Sequence, residues 1–393
     1  MQITVVGQGY VGLPLAMAAA EAGVKVFGLD SDKEKIRSLS DGVSPVSDVD
    51  SNLVGKHLRT GNYIPTTDLQ VITKSEIILI CVPTPVTSSR RPDLSYLMLA
   101  ISSVSKNLRK GSLIIIESTI EPGTCKDVLL PALVRESGLQ PDEFDFAYSP
   151  ERIDPANSKW TLKNTPKLLA GNSPNAVSRS SEFYSQFIDS LVTCTSIEVA
   201  EAAKLLENSF RYINISFINE FSMMCQKMRI DVNAVIAAAA SKPYGFMPFY
   251  PSIGVGGHCI PVDPLYLANA AQKIGASTRF IDLADQINQE MPHYFIMRAE
   301  KILGGVIGRK ILVIGIAYKS NVADIRESPS IALIQSLRDK GAIVSWNDDL
   351  VQEWNNEKSV ALNPEYDLAI IATMHDGLEL NKIGNTLILD TRR

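Results

Sequence analysis

Gly7-Gln8-Gly9-Tyr10-Val11-Gly12 is the stretch whose reading decides the fold. It follows an apolar run, Gln2–Val6, and opens an alanine-rich helical pattern, so strand, turn and helix come in that order. Each glycine has its own use: Gly7 permits a tight turn, Gly9 lets the backbone approach a pyrophosphate, and Gly12 allows close packing of helix on sheet. The pyrophosphate would rest on the helix N-terminus, which makes Gly7, Gly9, Tyr10, Val11 and Gly12 the candidate cofactor set. Asp30 closes the next apolar run, roughly 20 residues on, where an acid accepts a bond from a ribose 2′-hydroxyl. No arginine follows it immediately, and its charge would repel a 2′-phosphate. NAD is therefore favoured over NADP.

Apolar runs at 2–6, 24–29, 76–82 and 112–117 alternate with helical patterns, which predicts βαβ units and a mostly parallel sheet. The fold class is α/β, with an N-terminal Rossmann-type doubly wound sheet over residues 1–195. One long helix is expected from Ile197 to Met228, opened by a capping box in Thr195-Ser-Ile-Glu198. It contains no glycine or proline and spans on the order of 45 Å at 1.5 Å per residue. Such a helix is expected to join two domains and to bury a face against another subunit. With the shorter helices that follow, it makes a central domain over 196–303. The last part of the chain echoes the first thirty residues: Lys310-Ile-Leu-Val-Ile-Gly315 resembles Ile3-Thr-Val-Val-Gly7, and Ile331–Val344 repeats the pattern of Leu15–Val26. A second, degenerate Rossmann-like domain is expected over 304–393.

Composition narrows the function. The 393 residues are 45% hydrophobic and 21% charged, as in an ordinary globular chain. A formal net charge of -5 argues against a nucleic-acid binder, and Arg90-Arg91 is a pair rather than a basic patch. No run approaches the roughly 20 apolar residues needed to span a bilayer, and the N-terminus has neither a basic region nor a cleavage site. A cytoplasmic location is expected. Five scattered cysteines without a CxxC read as reduced thiols. The four histidines lack ligand spacing, so no metal is expected.

One cysteine has a distinctive setting. Cys259 sits in Gly254-Val-Gly-Gly-His-Cys-Ile-Pro-Val-Asp-Pro264, where glycines clear room for a bulky substrate and prolines stiffen the loop. That context favours a nucleophile over a small buried hydrophobe. Lys204, Asn208 and Arg211 fall within roughly 60° of one another on the long helix and form a polar stripe. Leu205, Leu206, Phe210 and Ile213 suggest that the helix is largely buried, where a lysine needs a partner or a purpose. Thr119, after the run 112–117, and Glu151 would be unremarkable alone.

Seven segments together resemble the UDP-glucose/GDP-mannose dehydrogenase family: GQGYVGLPLA from Gly7, VPTP from Val82, EST from Glu117, SPER from Ser149, EAAKLLEN from Glu201, GVGGHCIPVDP from Gly254 and KSNVADIRESP from Lys319. The resemblance runs nearly end to end. It implies an NAD-dependent enzyme that oxidises the C6 alcohol of a UDP-sugar through a cysteine thiohemiacetal and thioester, with a C-terminal UDP-binding domain and a homodimer built on the long helix. By motif, Cys259 is the nucleophile, Lys204 the acid/base and oxyanion stabiliser, and Asn208 its assistant. Asp263 and Thr119 order the water, and Glu151 is a candidate base. Thr84 and Thr119 touch NAD. The substrate would be held by Arg152, Ile153, Lys204, Arg211, Phe249, Tyr250, Gly257, Lys319 and Arg326, the guanidinium groups suiting a diphosphate.

His258 and Val262 follow the N-acetylhexosamine pattern of that family, and the stretches Lys242–Pro251 and Glu151–Pro155 look like its UDP-N-acetylglucosamine branch. The His-Pro-Arg usual near residue 243 in the N-acetylmannosamine branch is absent. Three positions depart from the pattern: Ser252-Ile253 inside the usual PGPG, Ala156 where glycine is common, and Asn347-Asp-Asp349 for Tyr-Asp-Pro. Two rivals share features. A two-electron hydroxyacid dehydrogenase would need neither Cys259 nor residues 308–393, and a non-catalytic regulator would have no use for the Lys204, Asn208, Cys259 and Asp263 set.

Overall fold

Within the run Ile77–Ile80, Ile77 and Leu79 join one hydrophobic cluster while Ile78 and Ile80 join another. Successive strand side chains point to opposite faces, so this strand is buried on both sides, the condition of an internal strand in a parallel sheet. The computed structural model, which describes residues 1–393 apart from Ser47, Pro155 and Ser158, builds its larger sheet around this strand. Two compact units are present: Met1–Leu206 with Leu265–Ile274, and Glu207–Pro264 with Gly275–Arg393.

In the first unit, β1 (Gln2–Val6), β2 (Lys25–Leu29), β3 (Tyr63–Thr66), β4 (Ile77–Ile80), β5 (Leu113–Ile116), β6 (Asp145–Tyr148), β7 (Lys167–Gly171) and β8 (Leu191–Thr193) form one sheet. Its order is β3-β2-β1-β4-β5-β6-β7-β8, and only the β6–β7 pair is antiparallel. The helices are α1 (Gly12–Glu21), α2 (Lys33–Ser40), α3 (Ser51–Thr60), α4 (Ser95–Ser105), α5 (Leu130–Ser137), which a π turn (Cys125–Leu129) precedes, and α6 (Pro174–Tyr184). Leu13, Leu15 and Ala16 of α1 pack with Ile3, Val5 and Leu79 on one face. Leu97, Ile101 and Val104 of α4 pack with Ile78, Ile80 and Ile114 on the other. The sheet is thus doubly wound, as the sequence implied. The run expected at 2–6 matches β1, and the other three expected runs overshoot β2, β4 and β5 by one to three residues in all.

A buried ion pair ties the far side of this sheet to its centre. Lys167, at the start of β7, donates to Glu117 Oε2 at 2.6 Å, just beyond β5. Its ammonium also approaches the carbonyl of Ser149 at 3.3 Å, and the Tyr184 hydroxyl donates to the other oxygen of Glu117. Both partners are essentially excluded from solvent, with side-chain exposures of 4% and 0%.

The long helix α7 (Ile197–Met228) has the predicted span of 32 residues. Its cap differs from the expectation by one position: Ser196 Oγ, not Thr195, accepts from the Val199 N–H at 3.3 Å. Glu198 then falls one place too early to complete a reciprocal box. After α7 come α8 (Val232–Ala240), α9 (Asp263–Lys273) and α10 (Arg279–Leu303). The second unit adds β9 (Lys310–Ile314), α11 (Pro329–Asp339), β10 (Ile343–Asn347), the small antiparallel pair β11 (Glu353–Trp354) and β12 (Glu357–Lys358), β13 (Leu368–Ile371) and β14 (Leu387–Asp390). Its parallel sheet runs β10-β9-β13-β14, which repeats the β2-β1-β4-β5 order of the first sheet. Gly315 follows β9 with φ 82°, as Gly7 follows β1 with φ 92°. The internal repeat expected from Lys310–Gly315 is therefore present in topology and in backbone conformation.

Lys167→Met leaves the Glu117 carboxylate buried without its cation, an arrangement that costs about 3–5 kcal/mol. A thermal melt should show a large drop in Tm for this variant, and Glu117→Gln/Lys167→Met should recover part of it. An unchanged Tm in the single variant would contradict this reading of the pair.

Candidate functional site

In the first unit, the glycines after β1 work by leaving space. A Cβ on Gly7 would stand 2.8 Å from the carbonyl oxygen of Cys81, and one on Gly12 only 1.8 Å from that of Gly7. Gly9 differs, since a Cβ there would meet nothing within 4 Å. The backbone at Gly9 is open on its ligand side, the property a close-approaching pyrophosphate requires. Tyr10 and Val11 are half-buried against the core under α1. At the end of β2, Asp30 accepts from the Gln8 N–H at 2.8 Å and the Asp32 N–H at 3.0 Å. It also pairs with Lys35 at 2.8 Å. Burial pulls the Asp30 carboxyl upward, but the Lys35 ammonium and these N–H donors outweigh it and hold the group below its usual range. Although no arginine follows Asp30, a lysine five residues on does reach it. Gln8 is itself fixed by the Tyr63 hydroxyl at 2.8 Å. The residues present fit NAD: a glycine turn, an open helix N-terminus and an ionised acid at the second strand end.

The loops after β4 and β5 lie side by side at the carboxyl ends of the strands, where ligands of open α/β sheets bind. Thr84 is buried and Thr119 half-buried. Ser118 Oγ donates to the Val82 carbonyl at 2.7 Å, which joins the two loops, and the Tyr266 hydroxyl donates to that of Pro85 at 2.9 Å. Glu121 accepts from Asn269 and Lys273, so α9 holds the same loop. Glu151 folds back on its own chain: Oε1 accepts from the N–H groups of Arg152 at 2.6 Å and Ile153 at 2.5 Å. Its Oε2 is buried with no hydrogen-bond partner among the described residues. The Arg152 guanidinium donates to the Pro166 carbonyl. Pro155, part of the stretch Glu151–Pro155, lies outside the described residues. Lys204 is 7% exposed on α7.

In the second unit, Cys259 is exposed and Cys225 buried; in the first, Cys81 and Cys125 are buried and Cys194 is intermediate. The Cys259 carbonyl accepts from the N–H groups of Val262 at 3.1 Å and Asp263 at 2.8 Å, closing a tight turn into α9. Asn208 Nδ2 then donates to Asp263 Oδ2 at 2.6 Å, with both side chains buried. Two distant parts of the chain are thus brought together: Asn208 on α7 and the turn that carries Cys259 and Asp263. The glycines before the cysteine pack against the segment after β9. A Cβ on Gly257 would lie 2.7 Å from the Tyr318 ring, and the Gly257 N–H donates to the Arg326 carbonyl at 3.0 Å. The Arg326 guanidinium grips the Asp324 carboxylate, with Nη2–Oδ2 at 2.6 Å. Burial, with the Arg326 charge, pushes His258 down and keeps its imidazole neutral. Lys319 follows Tyr318 and is half-buried, Arg211 is exposed, and Phe249 meets Phe210 edge-on at 5.9 Å. Tyr250 is exposed.

The structure places the three departures. Ser252 N–H donates to Asn219 Oδ1 at 2.9 Å, and Ile253 is 3% exposed within the second unit's core. Ser252-Ile253 therefore anchors its loop rather than merely displacing a glycine. Ala156 has φ 61°, the left-handed region where glycine is at ease. Asp348 accepts from the N–H groups of Ile316 and Ala317 at 2.9 and 3.0 Å. His375 stands 3.1 Å from Asp348 and accepts from the Asn321 N–H at 2.9 Å. Sequence reasoning passed over Gln8, Lys35, Glu121, Glu201 and His375. Glu201 alone carried a visible signal, an acid on an otherwise apolar turn one turn before Lys204.

Comparison with known proteins points one way. The models of the UDP-glucose/GDP-mannose dehydrogenase family match residues 1–188 as the NAD binding domain, 198–290 as the central domain and 312–393 as the UDP binding domain. A UDP-N-acetyl-D-glucosamine 6-dehydrogenase from Salmonella typhi is 33% identical over 95% of this chain and 90% of its own length. The structure of a UDP-D-ManNAc dehydrogenase from Pyrococcus horikoshii superposes with a TM-score of 0.91 at 30% identity, covering 100% of this chain and 96% of that one. A UDP-glucose dehydrogenase from Pyrobaculum islandicum gives a TM-score of 0.92 at 25% identity, covering 100% and 94%.

Two substitutions probe this geometry. Asp30→Ala removes a charged acceptor worth about 1.5–3 kcal/mol, so NAD affinity measured by titration should fall by about 10- to 100-fold. Ala156→Gly relieves a left-handed alanine and should stabilise the fold by up to about 1 kcal/mol in a denaturant titration. A wild-type affinity in the first or a destabilised protein in the second would count against these readings.

Proposed function

The chain belongs to the UDP-glucose/GDP-mannose dehydrogenase family, and we propose that it oxidises the C6 hydroxyl of a UDP-N-acetylhexosamine, UDP-N-acetylglucosamine first among them, to the carboxylate. It is an NAD-dependent oxidoreductase acting on a nucleotide sugar. The observation that carries the cysteine route is the turn Cys259–Asp263: an exposed thiol whose carbonyl is bound by the N–H of Asp263, with that carboxylate held by Asn208. A nucleophile needs access and a fixed neighbour, and this turn supplies both.

Bound NAD supplies the hydride acceptor, once for each of the two oxidations. Lys204 takes the proton of the C6 hydroxyl as the first hydride leaves, which yields the aldehyde. The Cys259 thiolate adds to the aldehyde carbon, and Lys204 with Asn208 stabilises the oxygen of the thiohemiacetal. Loss of the second hydride from the same carbon gives a thioester on Cys259. Water, ordered by Asp263 and Thr119 with Glu151 as base, attacks the carbonyl, and the thiol departs to leave the uronic acid. Arg152, Ile153, Arg211, Phe249, Tyr250, Gly257, Lys319 and Arg326 hold the UDP-sugar.

His258, Val262 and the absent His-Pro-Arg support UDP-N-acetylglucosamine over UDP-N-acetylmannosamine or UDP-glucose. The proposed division is a Rossmann domain over 1–195, a central domain over 196–303 and a UDP-binding domain over 304–393. A homodimer through α7 is supported by an exposed apolar stripe, Val199, Leu206, Phe210, Phe217, Met224 and Met228, which repeats at helical spacing. No helix among the described residues is long and apolar enough to cross a membrane, and the proposed location is cytoplasmic.

The test is NADH formed per sugar consumed with UDP-GlcNAc, UDP-ManNAc and UDP-glucose in parallel. Two NADH per UDP-GlcNAc, with UDP-GlcNAc fastest and the second oxidation lost in Cys259→Ser, is the expected result. One NADH per sugar, indifferent to Cys259→Ser, would overturn the thioester route.

A further inference from the structure

The segment Glu117–Cys125 carries Thr119, and carboxylates hold it along its length. Glu117 is bound by Lys167 and Tyr184, and Glu121 by Asn269 and Lys273. The third grip comes from α7. Glu201, fully excluded from solvent, accepts from the Gly123 N–H at 2.6 Å and the Cys125 N–H at 2.9 Å. These are free donors at the start of the helical segment that runs into α5, and an anion is favoured there. Gly123 adopts φ 92°, a conformation that presents its N–H to the carboxylate and that few other residues would tolerate.

Glu201 lies three residues before Lys204, so the two share one face of one helical turn. That turn therefore fixes the loop beyond Thr119 and projects Lys204, both within the first unit. We propose that Glu201 is a positioning residue: its carboxylate ties the Thr119 loop to the turn of α7 that carries Lys204, so hydride transfer depends on this clamp. The proposal rests on the roles assigned above to Thr119 and Lys204.

The clamp has a pH signature. Burial pushes the Glu201 carboxyl up to about 7, against the pull of the Cys125 and Gly123 N–H groups. The titratable groups that face it are the Cys125 thiol from the opposing turn and Glu198 from its own helix. Burial and the Glu201 charge push Cys125 well up, so it stays neutral. Glu198 is held down by its own backbone N–H and by Ser196, and it pairs with Lys126 at 3.7 Å. Glu201 is thus the member of this cluster that changes charge near neutrality. Its folded pKa lies above the unfolded value, so its contribution to stability falls as pH rises from about 4.5 to about 7. Over the same window the carboxylate gains its full capacity to accept both N–H bonds, and the clamp tightens.

The experiment compares full-length wild type, Glu201→Gln and Glu201→Asp. It measures NAD affinity by intrinsic fluorescence, steady-state NADH formation with UDP-GlcNAc, and a thermal melt at each pH. Wild type should gain NAD affinity and kcat through an inflection near 7. Glu201→Gln, which cannot accept both N–H bonds as an anion does, should lose about tenfold in kcat above the inflection, keep its KM for the sugar, and show a flat pH profile. Glu201→Asp should keep the inflection and recover part of kcat. A Glu201→Gln enzyme that melts lower but keeps wild-type kcat and inflection would make Glu201 a structural cap only and overturn the proposal. If Glu201→Gln does not fold, Glu201→Asp decides: reduced kcat with the inflection kept supports the clamp, and a wild-type kcat refutes it. Should wild type oxidise none of the UDP-sugars, the functional reading fails separately. The inflection in NAD affinity then decides, its loss in Glu201→Gln supporting the clamp and its persistence refuting it.

Discussion

Both sheets are organised by the same constraint: a glycine with positive φ after the first strand, placed where a Cβ would collide with the neighbouring strand's carbonyl. At Gly7 the obstacle is Cys81 and at Gly315 it is Thr373, 1.9 Å from the would-be Cβ. The backbone that follows must turn sharply, and its N–H groups need acceptors. In each sheet an acid at the end of the adjacent strand provides one: Asp30 for Gln8 and Asp348 for Ile316 and Ala317. The difference between the halves follows from how full each acid is. Asp348 also accepts from Leu350 and Val351 and lies beside His375, so it is committed to structure. Asp30 is held in place by fewer donors and remains the acid suited to a ribose hydroxyl.

This constraint explains why so much of the fold was legible. Glycine spacing, continuous apolar runs and a long stretch free of glycine and proline are local properties, and β1, β2, β4, β5 and α7 were visible from them. Four strands of the first sheet, β3, β6, β7 and β8, were missed, and the two at its edges have weak local signals. β3 contains Pro65 at the sheet edge, where proline is tolerated, and β8 has three residues, none buried. The cap of α7 moved from Thr195 to Ser196 because neighbouring hydroxyls are equivalent on paper and only the first helical residue decides between them.

The candidate site was legible in its residues but less in their support. Cys259 stood out because its glycines and prolines are local. Asn208 was read as a partner of Lys204 on one helix face, and its hydrogen bond to Asp263, 55 positions away, appears only in the folded chain. Glu121 gave little signal for the same reason: its partners Asn269 and Lys273 are brought near by the fold, not by sequence. Ser252-Ile253, which looked like a disturbance of its loop, turns out to fasten that loop to Asn219 and to the core.

In the proposed mechanism, Cys259 carries the substrate covalently between two oxidations. Intact-protein mass spectrometry after rapid quenching measures this directly, using Asp263→Asn to slow hydrolysis in the presence of NAD and UDP-GlcNAc. The expected result is an added mass equal to the acyl form of the UDP-sugar, mapped by digestion to the peptide that contains Cys259. Turnover without any adduct, or an adduct on another residue, would contradict it.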